Sequence, residues 1–110
     1  MICDRGNNCI EVVGPMTVEH AKLLAKEGVA ALRRTDTVFD LSAVTRVDST
    51  ALAIILSWMR AAQMSGQKVL VINAPENLMS LAELYDLAAL LPLNGPSHFG
   101  DIINSSKHGR

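Results

Sequence analysis

Aromatic residues are scarce in this chain: one Trp, one Tyr and two Phe make 4% of 110 residues. That is too few for a base-stacking platform or an aromatic-lined groove. Nor does one sign of charge dominate. Ten Lys+Arg stand against eleven Asp+Glu, a formal net charge of −1. The only basic clusters are Arg33-Arg34 and the terminal Lys107-His108-Gly109-Arg110. Nucleic-acid binders usually carry a basic excess or stripe, so no nucleic-acid partner is expected. Cysteine is nearly absent, with only Cys3 and Cys9, and His20, His98 and His108 are scattered. No metal-ligand spacing results, no metal or other cofactor is expected, and the two cysteines read as reduced, partly buried thiols.

Long hydrophobic runs are lacking as well. The start, Met1-Ile2-Cys3-Asp4-Arg5, has no apolar stretch of a secretory signal behind it. The longest apolar run, 51–59, is interrupted by Ser57 and bounded by Asp48 and Arg60. A membrane span needs about 20 mostly apolar residues. A cytoplasmic protein without direct membrane insertion is therefore expected. Enzymatic motifs are missing too: no G-x-x-x-x-G-K-[ST], G-x-G-x-x-G or G-x-S-x-G occurs. Asp40 ends a strand as a phospho-accepting aspartate would. The acidic pair and late lysine of that site are absent, because the first strand ends Val13-Gly14 and Lys68 precedes its strand. The expectation is a protein that is not an enzyme.

What is present is core-forming material, 49% hydrophobic, enough for a single domain at this length. Short β-type runs alternate with helical ones, which favours a sheet covered by helices, an α/β fold. Ile2-Cys3 and Cys9-Ile10-Glu11-Val12-Val13 flank the turn formers Asp4-Arg5-Gly6-Asn7-Asn8 and predict a hairpin. Gly14-Pro15-Met16 should break the second strand, and Thr17 should cap a helix. Ala21, Leu24, Ala25, Gly28, Val29 and Leu32 recur at helical spacing, and a glycine inside that stripe implies close packing there. Val38-Phe39-Asp40-Leu41 predicts a strand, 42–47 a loop, and 49–64 a long helix closed by Ser65-Gly66. The unbroken run Val69-Leu70-Val71-Ile72 predicts a central strand buried on both faces. Pro75 starts another helix with the stripe Leu78, Leu81, Ala82 and Tyr85, and Leu87, Leu90 and Leu91 extend its apolar surface. A last short helical piece is expected over 101–104. The domain is thus assigned to 1–104 and a flexible tail to 105–110.

Two features point to function. At Asp48-Ser49-Thr50 a helix opens with two hydroxyls and a carboxylate, where backbone N–H groups lack intrahelical acceptors. The plain reading is that Ser49 caps the helix and Asp48 is a loop charge. The functional reading is a contact or phosphorylation site, because a helix N-terminus tolerates a phosphate and a phosphoryl group adds about −1.5 to −2 charges. The helix behind it carries two apolar stripes, Leu52, Ile55, Leu56, Met59 and Ala62, and Ile54, Trp58 and Ala61. The second stripe faces either a neighbouring helix or a partner, for which an exposed Trp58 would be an anchor.

These residues resemble a STAS domain, the fold of the anti-sigma-factor antagonists. The hallmark D-S-[ST]-G-L stands here as Asp48-Ser49-Thr50-Ala51-Leu52. The stretch from Leu41 through Ser49, the continuation to Trp58, and Leu81-Ala82-Glu83-Leu84-Tyr85 with Leu90-Leu91-Pro92 are more narrowly similar to the MlaB subgroup, the small STAS subunit of a phospholipid-transporting ABC complex. Ala51 departs from the usual Gly, a change that the transporter-type members tolerate. The resemblance implies a STAS fold with a mixed central sheet of about four strands. It implies a non-enzymatic accessory subunit that binds the ATPase subunit of that complex. Such a subunit sits peripherally at the inner membrane through its partner and supports outer-membrane lipid asymmetry. The alternative it implies is an anti-sigma-factor antagonist, switched by a Ser/Thr kinase and bound by an anti-sigma factor. In the sigma-regulatory members the phosphorylated hydroxyl lies at the position of Thr50, and in the transporter members the contact hydroxyl matches Ser49. Both are candidates, and Arg46, Asp48, Ala51, Leu52, Ile54 and Trp58 are the expected interface around them.

Overall fold

The computed structural model describes residues 1–32 and 36–95. Four strands form one mixed sheet in the order β1-β2-β3-β4, comprising β1 (Ile2–Asp4), β2 (Cys9–Met16), β3 (Thr37–Val47) and β4 (Val69–Ile72). β1 pairs antiparallel with β2, as the hairpin reading requires. Its turn places Gly6, Asn7 and Asn8 at positive φ (79°, 54° and 63°), a conformation that glycine and asparagine tolerate best. β2, β3 and β4 run parallel, joined by the helices α1 (Ala21–Ala31) and α2 (Thr50–Met64). A third helix, α3 (Glu76–Leu84), follows β4.

One face of the sheet is the core face. Ile10, Val12, Phe39, Leu41 and Val71 are buried on it beneath α1 and α2. Alternate residues turn to the other face. Cys9, Glu11, Val38 and Asp40 are half-buried there and Leu70 is exposed, and no helix among the described residues covers it. On that face Glu11 and Asp40 are cross-strand neighbours, with the Arg5 guanidinium 2.9 Å from the Glu11 carboxylate.

Three expectations about strands change. β2 does not break at Gly14-Pro15-Met16 but continues to Met16, with Gly14 at φ 93°. Pro15 is tolerated because β1 pairs no further than Val12 and the Val13 amide, which donates to Met1. Residues 42–47 are strand and not loop. Their polar composition hides this, and two register shifts against β2 let the longer strand run on to Val47. β4 is the last strand of the order, with Leu70 42% exposed, and is not buried on both faces. Its outer edge is covered by the stretch after α3, where Val71 donates to Pro92 and Asn94 donates back to Val71, both at 2.9 Å.

The helices follow their sequence signals more closely. α2 ends at Met64 with Gly66 at φ 71°, and the Gln67 amide closes the turn onto the Ala62 carbonyl at 2.8 Å. Pro75 caps α3 by position, before Glu76. Thr17 does not cap a helix: its hydroxyl donates to Glu19 at 3.1 Å, and a 3-10 turn (Val18–His20) precedes α1. The expected piece over 101–104, the 104/105 domain boundary and the tail 105–110 lie outside the described residues.

The second stripe of α2 is answered by α1. Trp58 is fully buried, its ring stacked on Phe39 with centroids 4.0 Å apart and 11° between planes. Its indole N–H donates to the Leu24 carbonyl of α1 at 3.1 Å. One turn further on, a Cβ at Gly28 would overlap the indole, so the absent side chain of Gly28 makes the slot into which Trp58 fits. This is the close packing that a glycine inside an apolar helical stripe implied.

Candidate functional site

The junction between β3 and α2 is organised by Asp48. Ser49 already has helical backbone angles (φ −61°, ψ −20°) and its side chain makes no capping bond. The cap is Asp48 instead, which corrects the plain reading of this stretch. Its Oδ1 accepts the Thr50 amide at 2.9 Å, its carbonyl accepts the Ala51 amide at 2.9 Å, and its Oδ2 accepts the Val18 amide at 3.2 Å. The Thr50 hydroxyl hydrogen-bonds to the same carboxylate. Burial alone would push this carboxyl up, but the Thr50 hydroxyl and amide, the Val18 amide and the nearby Arg46 charge together hold it below its ordinary value of 3.8.

A carboxyl whose folded value is depressed contributes stability that is present above pH 3.8 and lost as pH falls through the folded value. Asp48→Asn is therefore expected to lessen the acid dependence of stability below that point in urea titrations at stepped pH. An unaltered acid limb would contradict this role.

The residues assigned to the site divide by exposure. Ser49 and Arg46 are exposed, and Asp48 and Thr50 are half-buried. Ala51, Ile54 and Trp58 are buried inside the domain, at 0%, 3% and 0% exposure. The expectation of an exposed Trp58 anchor is corrected, because α1 and Phe39 enclose that side chain, and Ala51 and Ile54 likewise face inward. Leu52 is buried too, yet it reaches the floor of a surface groove of about 440 Å³ between α2 and the end of α3. Ser49, Leu52, Ala53, Leu56, Tyr85 and Leu87 line this groove. Ser49 thus places a hydroxyl on the rim of an apolar depression.

Sequence reasoning read Leu56, Tyr85 and Leu87 as apolar stripes but did not join them into this groove, and it missed Val18. The groove depends on where α3 ends against α2, and Val18 is tied to Asp48 across 30 residues. Neither relation has a local signal. Among the described residues no group of three or more His, Cys, Asp or Glu side chains could hold a metal ion. No helix among them is long and apolar enough to cross a membrane.

A four-stranded mixed sheet with helices on one face and a hydroxyl-bearing helix start after the third strand defines a class. The family model described as Mlab, STAS domain matches residues 4–92. The chain belongs to this STAS-domain family. Among solved structures it is similar to the anti-sigma-factor antagonist SpoIIAA in its unphosphorylated form, with 12% identity and a TM-score of 0.66 over 100% of this chain and 96% of that one. It is also similar to a Thermotoga maritima protein described as an anti-sigma-factor antagonist, with 15% identity and a TM-score of 0.65 over 92% and 89% of the two chains. A sulfate transporter family protein from Wolinella succinogenes gives 14% identity and a TM-score of 0.63 over 87% and 82%. At these identities the likeness concerns the fold. No curated protein sequence matches the chain.

Proposed function

We propose that the chain is a non-enzymatic accessory subunit that docks on the ATPase subunit of a phospholipid-transporting ABC complex. Through that partner it would lie at the inner membrane and support lipid asymmetry of the outer membrane. The observation that carries this reading is the groove beside Ser49, an apolar depression with an exposed hydroxyl at its rim, in a chain whose family model bears the Mlab description. Such a surface suits protein contact: apolar walls give the area and the hydroxyl fixes the register.

Ser49→Arg tests it. An unpaired charge placed in the contact should weaken capture of the ATPase subunit by about a hundredfold or more, since mismatched charge at an interface costs several kcal/mol. The fold should survive, because Ser49 is exposed. Met64→Arg, at the far end of α2 and 85% exposed, should capture the ATPase normally. Equal capture by wild type and Ser49→Arg would refute the reading. If a Ser/Thr kinase adds one phosphate by intact mass, lost in Thr50→Ala, and no ATPase is captured, the antagonist function replaces it.

A further inference from the structure

We propose that Asp48 is a positioning residue: its single carboxylate clamps the turn before α1 to the start of α2, so that Val18 and Ser49 reach a partner as one rigid patch. This rests on the docking function above and deepens it by adding a second segment to the contact surface. The Val18 and Thr50 amides lie in first turns, where helical amides have no acceptor within their own helix. One carboxylate satisfies both, at 3.2 Å and 2.9 Å. The turn at Val18 has no cap of its own, since the Thr17 side chain bonds Glu19 and makes no capping bond. Its cap is supplied from β3's end. The clamp therefore fixes the distance between the two segments, and Val18 is left 66% exposed beside the junction.

The chemistry of the patch selects the kind of partner. An anion at these two helix starts would need the donors that Asp48 already occupies, so a free phosphate or a nucleic-acid backbone fits poorly. Val18 and the groove residues Ala53, Leu56 and Leu87 offer apolar contact, with the Ser49 hydroxyl and the exposed Arg46 as polar groups. A protein surface presenting apolar side chains together with a hydrogen-bonding group fits this chemistry, and the ATPase subunit of the function proposed above is the occupant tested.

Asp48→Asn breaks one arm of the clamp: the amide keeps an acceptor for Thr50 but turns an NH₂ toward the Val18 N–H. In the free chain the Val18 amide should then exchange about tenfold faster, the scale of one charge-assisted hydrogen bond lost, while the buried strand amide of Val71 stays unchanged. Titrated against the purified ATPase subunit, Asp48→Asn and Val18→Asp should each bind about tenfold more weakly. The double variant should be no weaker than Val18→Asp alone, because both act on the same contact. Unchanged exchange at Val18 overturns the positioning role, and so does faster exchange with unaltered affinity or fully additive losses. A wild-type chain that captures no ATPase while exchange responds as expected removes the function proposed above and leaves the clamp standing.

Discussion

Gly28→Ala is expected to destabilise the chain by about 2 kcal/mol or more, in the range of overpacked cores, lowering the melting midpoint by about 10 °C. Helix propensity alone predicts the opposite, because alanine is better than glycine in a helix interior by about 1 kcal/mol. The overlap decides the sign. A Cβ at Gly28 meets the Trp58 indole, and the indole cannot retreat. It is stacked on Phe39 on one side and donates to the Leu24 carbonyl on the other. Urea unfolding of Gly28→Ala measures the effect, and the further cost of Gly28→Ala should be smaller in a Trp58→Leu background, where the slot is vacated. A stabilised Gly28→Ala would show that the Trp58 indole does not fill the space beside Gly28.

Trp58 carries the second large effect. Trp58→Ala should cost about 4 kcal/mol, typical of deleting a buried aromatic. Trp58→Phe keeps much of the ring but withdraws the indole N–H from the Leu24 carbonyl, and leaving a buried acceptor without its donor costs about 1–3 kcal/mol. Both losses should appear in the free chain by urea denaturation, without any partner. A Trp58→Phe variant with a wild-type unfolding midpoint would show that the indole bond to the Leu24 carbonyl contributes nothing to stability.

How far the sequence reaches is clear from these same residues. The hairpin is visible because Gly6-Asn7-Asn8 occupies the positive-φ positions that the turn needs. The end of α2 is visible because Gly66 closes it, and the tight spot at Gly28 because a glycine interrupts an apolar helical stripe. These are local signals. β3 beyond Leu41 is not visible, since Ser42, Thr45 and Arg46 read as loop and only pairing with β2 makes them strand. The two stripes of α2 are plain in the sequence, yet periodicity does not say whether α1 or another protein covers the second, and α1 does. The Asp48-Ser49-Thr50 stretch marks the site, but which residue caps the helix depends on the Val18 amide arriving from elsewhere in the chain.

The uncovered face of the sheet bears on how the protein behaves in concentrated solution. Bare sheet surfaces stack on one another when they are flat and apolar, which is a route to aggregation. Here Glu11 and Asp40 sit side by side across β2 and β3. Bonds from Asn73 and Ser42 and the Arg5 charge, working against burial, hold the Asp40 carboxyl below its ordinary value. Two adjacent charges in the middle of the face would have to be stripped of water for a second sheet to lie against it. Stacking a second sheet on this face would therefore carry a desolvation cost that a purely apolar face around Leu70 would not.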